Sequence, residues 1–256
     1  GNQEVLARSR QDPYVRSHSL TRDRLRFLRN QIERSRVSRA SPDPLSKADL
    51  TRIQAKIRGF LEPPLKALRR YPDSDRTVPA KYARAAALHR LGRTDEALEE
   101  VEELLNYKPN DPYFNELKGQ ILFESGRVNQ AVTPYNIAVR IRPTSPLLRI
   151  GIAQAQIATN DTNLLTEAVK HLEEATRRDK NIPAAWRQLA IALGRTGNIG
   201  RSALASAEYN LLIGRPRDSA RFAAKANNLL LPGSPSHLRA QDLSNLAIKT
   251  IKRERE

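Results

Sequence analysis

Four histidines, His18, His89, His171 and His237, are the obvious candidates for acid–base or metal chemistry in this 256-residue sequence. None has a second histidine within a helical turn. The nearest approach to a ligand pair is His171 with Glu174, at i and i+3 on one helix face. Two ligands leave a zinc site underfilled, so a solvated helix face is the stronger reading of that pair. The chain has no cysteine, which removes disulfides, thiolate ligands and a cysteine nucleophile. No cluster joins a nucleophile, a base and an oxyanion donor, so the residues that remain point to binding and not to catalysis. On these grounds the catalytic, metal and cofactor sets are empty for this chain.

The binding candidates are Tyr82, His89, Tyr113, Glu116, Gln120, Phe123, Gln154, Arg187 and Gln188. What brings them together is a repeat. Gly92 recurs as Gly126, Ala97 as Ala131 and Pro109 as Pro143, each 34 residues on. That period is the tetratricopeptide (TPR) length, a helix-turn-helix unit with a glycine turn and an exit proline. Gly92 can take the left-handed conformation a C-cap needs. Thr94, then Ala97, Leu98, Val101, Leu104 and Leu105, starts a second helix of 3.6 period. The repeat boundaries read as 78–111, 112–145, 146–182 and 183–214. In the third copy the step from Ala131 to Ala168 is 37 residues, which places three extra residues in the turn TNDTNLL. The fourth copy carries Trp186, Leu189, Ala190, Leu193 and Gly197 at the consensus packing positions, and Trp186 is expected to be largely buried. In a TPR stack the first helix of each repeat lines the concave face, so the nine candidates fall on one groove suited to an extended or helical peptide. Tyr82, Tyr113 and Phe123 serve equally well as packing between helices.

Composition sets the frame. Residues 1 to 90 carry 21 Lys/Arg against 9 Asp/Glu, three quarters of the net charge of +16. A basic arm suits an acidic protein surface, anionic lipid or nucleic acid. Aromatics are sparse there, which disfavours nucleic acid. Residues 1–36 read as a basic helical arm with Leu25, Leu28 and Ile32 on one face, 37–46 as a proline-broken linker, and 47–256 as the helical array. Leu50, Ile53, Ile57 and Leu61 form an apolar stripe on a helix of a degenerate hairpin, Lys47 to Tyr71, that caps the first end. Near the other end one helix, Ser202 to Ile213, lies between Gly197 and Gly214, so the register slips. A last helix from His237 to about Lys252 covers the exposed face. No apolar run is long enough to span a membrane. Gly1 and the absence of Met suggest a fragment or processed form.

The stretches RSHSLTRDRLRFLRNQIERS, RIQAKIRGFL, LRRYPDSD, DPYFNELKGQILFESGR and AWRQLAIALGRTGN, in this order, resemble the C-terminal region of exported bacterial zinc metallopeptidases, gluzincins related to the CAAX prenyl proteases that carry a TPR tail. The resemblance implies an upstream domain that binds zinc through H-E-x-x-H, a motif absent from this chain, and a periplasmic or envelope location with possible peripheral membrane association. Ser17-His18-Ser19 partly matches the loop that closes such a protease domain, which would set His18 near the zinc cleft.

The expectation is an all-α TPR superhelix with irregular caps. It acts as a non-catalytic interaction module for substrate or envelope-assembly peptides, beside an upstream protease domain. The competing reading is a stand-alone basic scaffold for nucleic acid or an acidic protein.

Overall fold

The computed structural model describes residues 44–253 together with Asn30 and Glu33, both helical. The basic arm, His18 and most of the linker lie outside the described residues; Pro44, expected in the linker, instead opens the first helix. The chain divides into two compact units, 1–51 and 52–256.

Twelve helices and no strand occur among the described residues. They are α1 (Pro44–Leu61), α2 (Pro64–Arg70), α3 (Val78–Arg90), α4 (Thr94–Tyr107), α5 (Pro112–Glu124), α6 (Val128–Ile141), α7 (Pro146–Ala158), α8 (Thr162–Arg178), α9 (Pro183–Arg195), α10 (Ile199–Leu212), α11 (Pro216–Leu229) and α12 (Pro235–Arg253). Consecutive helices from α2 to α12 pack on one another. Second-neighbour contacts of α5 with α7 and of α7 with α9 stack the first helices side by side, giving the all-α TPR superhelix.

Local sequence sets each boundary. Thr77, Asp111 and Ser145 cap the first helices of three repeats by accepting backbone N–H groups, and a proline follows each cap within two residues. Gly92, Gly126, Gly197 and Gly214 end helices at φ 73°, 82°, 79° and 72°. After each, an N–H reaches back to the final turn, as Arg93 does to the Leu88 carbonyl and Arg127 to that of Leu122. In the third repeat Asn160 takes this place at φ 60°, 34 residues after Gly126.

The position of Asn160 corrects the reading of the third repeat. The connection from α7 to α8 is no longer than its counterparts, and the second helix is extended instead. Helix α8 has 17 residues where α4 and α6 have 14. Leu165, 34 residues after Ala131, is therefore the true counterpart of Ala97, and the three added residues form the end of α8. The register slip after Gly197 is present: α10 packs on α9, α11 and α12, so it closes the fourth repeat and opens a further hairpin. Glu208 on α10 accepts from Arg239 Nε and Nη2 on α12 at 2.7 and 3.0 Å, pinning the last helix.

The core is small-residue and aliphatic. Trp186 is only half-buried against the α7–α9 cluster, and its indole N–H donates to the Lys180 carbonyl at 2.8 Å. Arg84 is 1% exposed. It donates from Nε and Nη2 to Glu100 at 2.6 and 2.9 Å, and from Nη1 to the Pro72 and Asp75 carbonyls. One side chain thus ties α3, α4 and the loop before α3 together.

Helix α1 turns an unexpected face to the array. The apolar stripe of Leu50, Ile53, Ile57 and Leu61 is exposed, Ile53 at 52% and Leu61 at 76%. The inward face carries Arg52, Ala55, Lys56 and Gly59, followed by Phe60, which packs on the cluster of Tyr82 and Phe114. A Cβ on Gly59 would stand 2.7 Å from the Ala83 carbonyl oxygen, so only glycine lets the two helices approach this closely.

Candidate peptide-binding groove

Counting from each helix start, Tyr82, Glu116, Ile150 and Arg187 fall at the fifth position of α3, α5, α7 and α9, and Ala86, Gln120, Gln154 and Ile191 at the ninth. One turn apart on parallel first helices, these positions define a face that runs across the stack.

The structure divides that face in two. The α3/α5 end is filled. Tyr82 is 1% exposed and belongs to the core, with its ring 5.8 Å from that of Phe114. Burial pushes its phenol far above the usual range. Tyr82 is therefore packing and not an open groove residue, because the ring fills the space beneath α1. Tyr113 is half-buried with Arg52, Lys56 and Arg142 at 5.4, 5.8 and 5.8 Å from its ring centre, and its hydroxyl accepts from Arg142 at 2.7 Å. Glu116 pairs with Lys56 at 3.2 Å. Asp111, which caps α5, also pairs with Arg52 at 2.7 Å. His89 Nε2 lies 2.7 Å from Glu124, whose other oxygen accepts from Gln120 at 2.9 Å. Phe123 is half-buried against the cluster that includes Tyr135 and Ile152, so it serves more as packing than as lining.

The α7/α9 end is open. Gln154 and Gln188 are half-buried, Arg187 is exposed, and Ile191 presents its side chain beside them. An amide, a cation and an aliphatic group on two contacting first helices suit a peptide backbone with an acidic or polar side chain.

Sequence reasoning missed one groove residue. Tyr135 projects from α6, in the outer layer, and its ring passes between α5 and α7. A Cβ on Gly119 would lie 2.7 Å from its Cδ2, and one on Gly151 would lie 2.7 Å from its Cε1. The residue is 6% exposed, and its hydroxyl is not among the buried unpaired polar atoms, so that exposure includes the phenol oxygen. Glu116 and Glu124 flank it closely enough to raise its pKa further, after burial, the larger cause. Tyr135 thus sets a hydroxyl in the floor between the filled and open ends. The signal was available in Gly119 and Gly151, two glycines inside helices.

The remaining sequence candidates are engaged elsewhere. His171 Nδ1 accepts from Arg149 at 3.0 Å, and Glu174 accepts from Arg177 and Arg178. The pair does not fit a zinc site, and the described residues hold no group of three or more potential metal ligands. No helix among them is long and apolar enough to cross a membrane.

Residues 82–146 match the tetratricopeptide repeat family. The beta-barrel assembly-enhancing protease of Escherichia coli (strain K12) is 26% identical over 155 residues, which is 60% of this chain and 31% of that protein. The match with the protein of the same name from Shigella flexneri has the same extent. The chain thus spans about a third of the length of the relatives it matches. Among solved structures, MamA from Desulfovibrio magneticus RS-1 superposes with a TM-score of 0.53 at 18% identity, covering 67% of this chain and 96% of that one. MamA AMB-1 superposes at 0.54 and 17% identity, covering 64% and 97%. These structures share the fold.

Proposed function

We propose that this chain is a non-catalytic TPR interaction module that holds a segment of a protein partner along α5, α7 and α9. We place it at the C-terminal side of an exported zinc metallopeptidase in the periplasm or cell envelope, where it would present substrates or envelope-assembly partners to an upstream, zinc-binding catalytic domain. The resemblance of the repeat sequences and the likeness to a beta-barrel assembly-enhancing protease support that parentage. The observation that carries the binding role is the open α7/α9 surface. Gln154, Arg187 and Gln188 make no hydrogen bond or ion pair within the described residues, although Arg187 and Gln154 sit in line with the occupied positions Glu116 and Gln120 of α5.

A photo-crosslinking residue placed at Gln188 in the full-length protein should capture a protein partner in the cell envelope. Gln154→Ala with Arg187→Glu should cut that capture at least about tenfold, a loss of about 1.4 kcal/mol. Capture that is unchanged by the double substitution would remove the groove from the reading.

A further inference from the structure

Helix α1 lies on the groove with most of its apolar stripe outward, and only Phe60 and Ala55 give it apolar burial on the array. Burial of apolar area is what usually fixes a terminal helix to a stack, yet Ile53, Ile57 and Leu61 point away from the array. What touches the groove is a cationic pair one turn apart, Arg52 and Lys56, followed by Gly59. Their receptors are Asp111, Glu116 and the rings of Tyr113 and Phe114, with Arg52 5.7 Å from the Phe114 centre. Phe60, packed on the Tyr82–Phe114 cluster, and the buried Ala55 anchor the helix. Ahead of them the Arg52 and Lys56 end is held by charge complementarity and cation–π contacts, which are individually weak where solvent reaches them.

The attachment ends at a break between helices. Glu62 and Pro63 separate α1 from α2, so α1 can leave without unwinding α2, which is anchored by the buried Ala67. Three side chains close the junction: Arg90 Nη1 donates to the Gly59 and Glu62 carbonyls, Arg58 donates to the Tyr71 hydroxyl at 3.2 Å, and Arg70 pairs with Glu62 at 3.5 Å.

We propose that α1 is a built-in occupant of the α3/α5 end of the groove, and that the partner segment recognised there is a helix with two cationic side chains four residues apart and a small residue three further on, which displaces α1. The inference rests on the groove being a peptide-binding surface. It adds the class of ligand and the device that keeps the end closed. Glu116 is the competed group: it pairs with Lys56 until a partner cation takes that place. The exposed Ile53, Ile57 and Leu61 are the face α1 carries with it when released.

The test uses the full chain and a fluorescein-labelled synthetic peptide of residues 47–62, read by fluorescence polarisation. The chain carrying Arg52→Glu with Lys56→Glu should bind the peptide at least about tenfold more tightly than the unmodified chain, because its own α1 no longer competes. A peptide carrying the same two substitutions should bind neither. Adding Tyr113→Ala and Glu116→Lys to the chain should remove binding. Far-ultraviolet circular dichroism checks that the variants fold, and Arg52→Gln with Lys56→Gln replaces the reversal if it does not. Equal binding to both chains, no binding to either, or equal binding of a scrambled peptide of the same charge would overturn the proposal. If the peptide fails while the Gln154/Arg187 variant still loses partner capture, the built-in ligand alone is wrong. If the peptide binds and that variant is silent, the wider groove reading is wrong.

Discussion

The ring of Tyr135 touches Gly151 so closely that a Cβ on that glycine would stand 2.7 Å from Cε1. Gly119 bounds the ring as well, at the same distance from Cδ2. A rigid ring held on both sides cannot give way as the end of a flexible side chain would. Gly119→Ala and Gly151→Ala should therefore each destabilise by about 1–3 kcal/mol through overpacking, although alanine is the better helix former. Urea denaturation measures this, and a gain in stability for either variant would show that the slot is slack. Tyr135→Phe should leave stability nearly unchanged, because the hydroxyl has no hydrogen-bond partner among the described residues.

Asn160 repeats the φ of Gly126 one period later, 60° against 82°. Asparagine is among the few side chains that visit this region, at some cost relative to glycine. Asn160→Gly should be neutral to stabilising, whereas Asn160→Val should cost about 1–2 kcal/mol. Equal denaturation midpoints for the two variants would mean that the turn relaxes.

How far the sequence led depends on what sets each feature. The turn glycines and exit prolines are local conformational demands, so the hairpins could be read one at a time. The three added residues of α8 were placed in the turn because Ala168 resembles Ala131; the structure counts instead from Asn160, since the capping residue fixes the start of a helix and a small core residue can recur in several places along it. The outward stripe of α1 was legible as a stripe but not as a direction, because the ion pairs with α5, the packing of Phe60 and the close approach of Gly59 to Ala83 go with the opposite face. The path of Tyr135 needed three helices at once. Among the groove candidates, Gln154 and Gln188 are half-buried and Arg187 exposed, while Tyr82 belongs to the core cluster with Phe114.

Leu88, Leu122 and Gln156 occupy one position in three successive repeats. Gln156 is 2% exposed and its Oε1 has no hydrogen-bond partner among the described residues. Replacing a buried polar group of this kind by the aliphatic residue of its neighbours removes a desolvation penalty of about 1–3 kcal/mol. Gln156→Leu should raise the midpoint of thermal unfolding. A lower midpoint would indicate that the amide makes a contact through water.

Arg84 and Glu100 form a buried bidentate pair that also anchors the Pro72 and Asp75 carbonyls. Arg84→Met alone leaves Glu100 and two carbonyls without their donor and should cost about 3–5 kcal/mol. Adding Glu100→Leu should recover part of that loss, because the stranded carboxylate is then gone. A double variant no more stable than the single one would place most of the cost in the carbonyls and not in the ion pair.

His171 gives the array a pH dependence with a definite sign. Burial first, and the neighbouring Arg149 guanidinium second, hold its pKa below the ordinary histidine value. The neutral ring is also the form that accepts the proton of Arg149 at 3.0 Å. In the unfolded chain the imidazole takes up a proton near pH 6.5, the ordinary value. Below that pH the unfolded state binds more protons than the folded one, so this contribution to stability is complete above about pH 6.5 and declines as the solution is acidified. Glu167 and Lys170 also face the ring, with opposite effects, and the first opposes the shift. Urea midpoints measured across this range should therefore fall on the acid side for the unmodified chain, and fall less for His171→Gln, whose amide oxygen can still accept from Arg149 without titrating. Parallel pH profiles for the two proteins would assign the acid sensitivity to other groups.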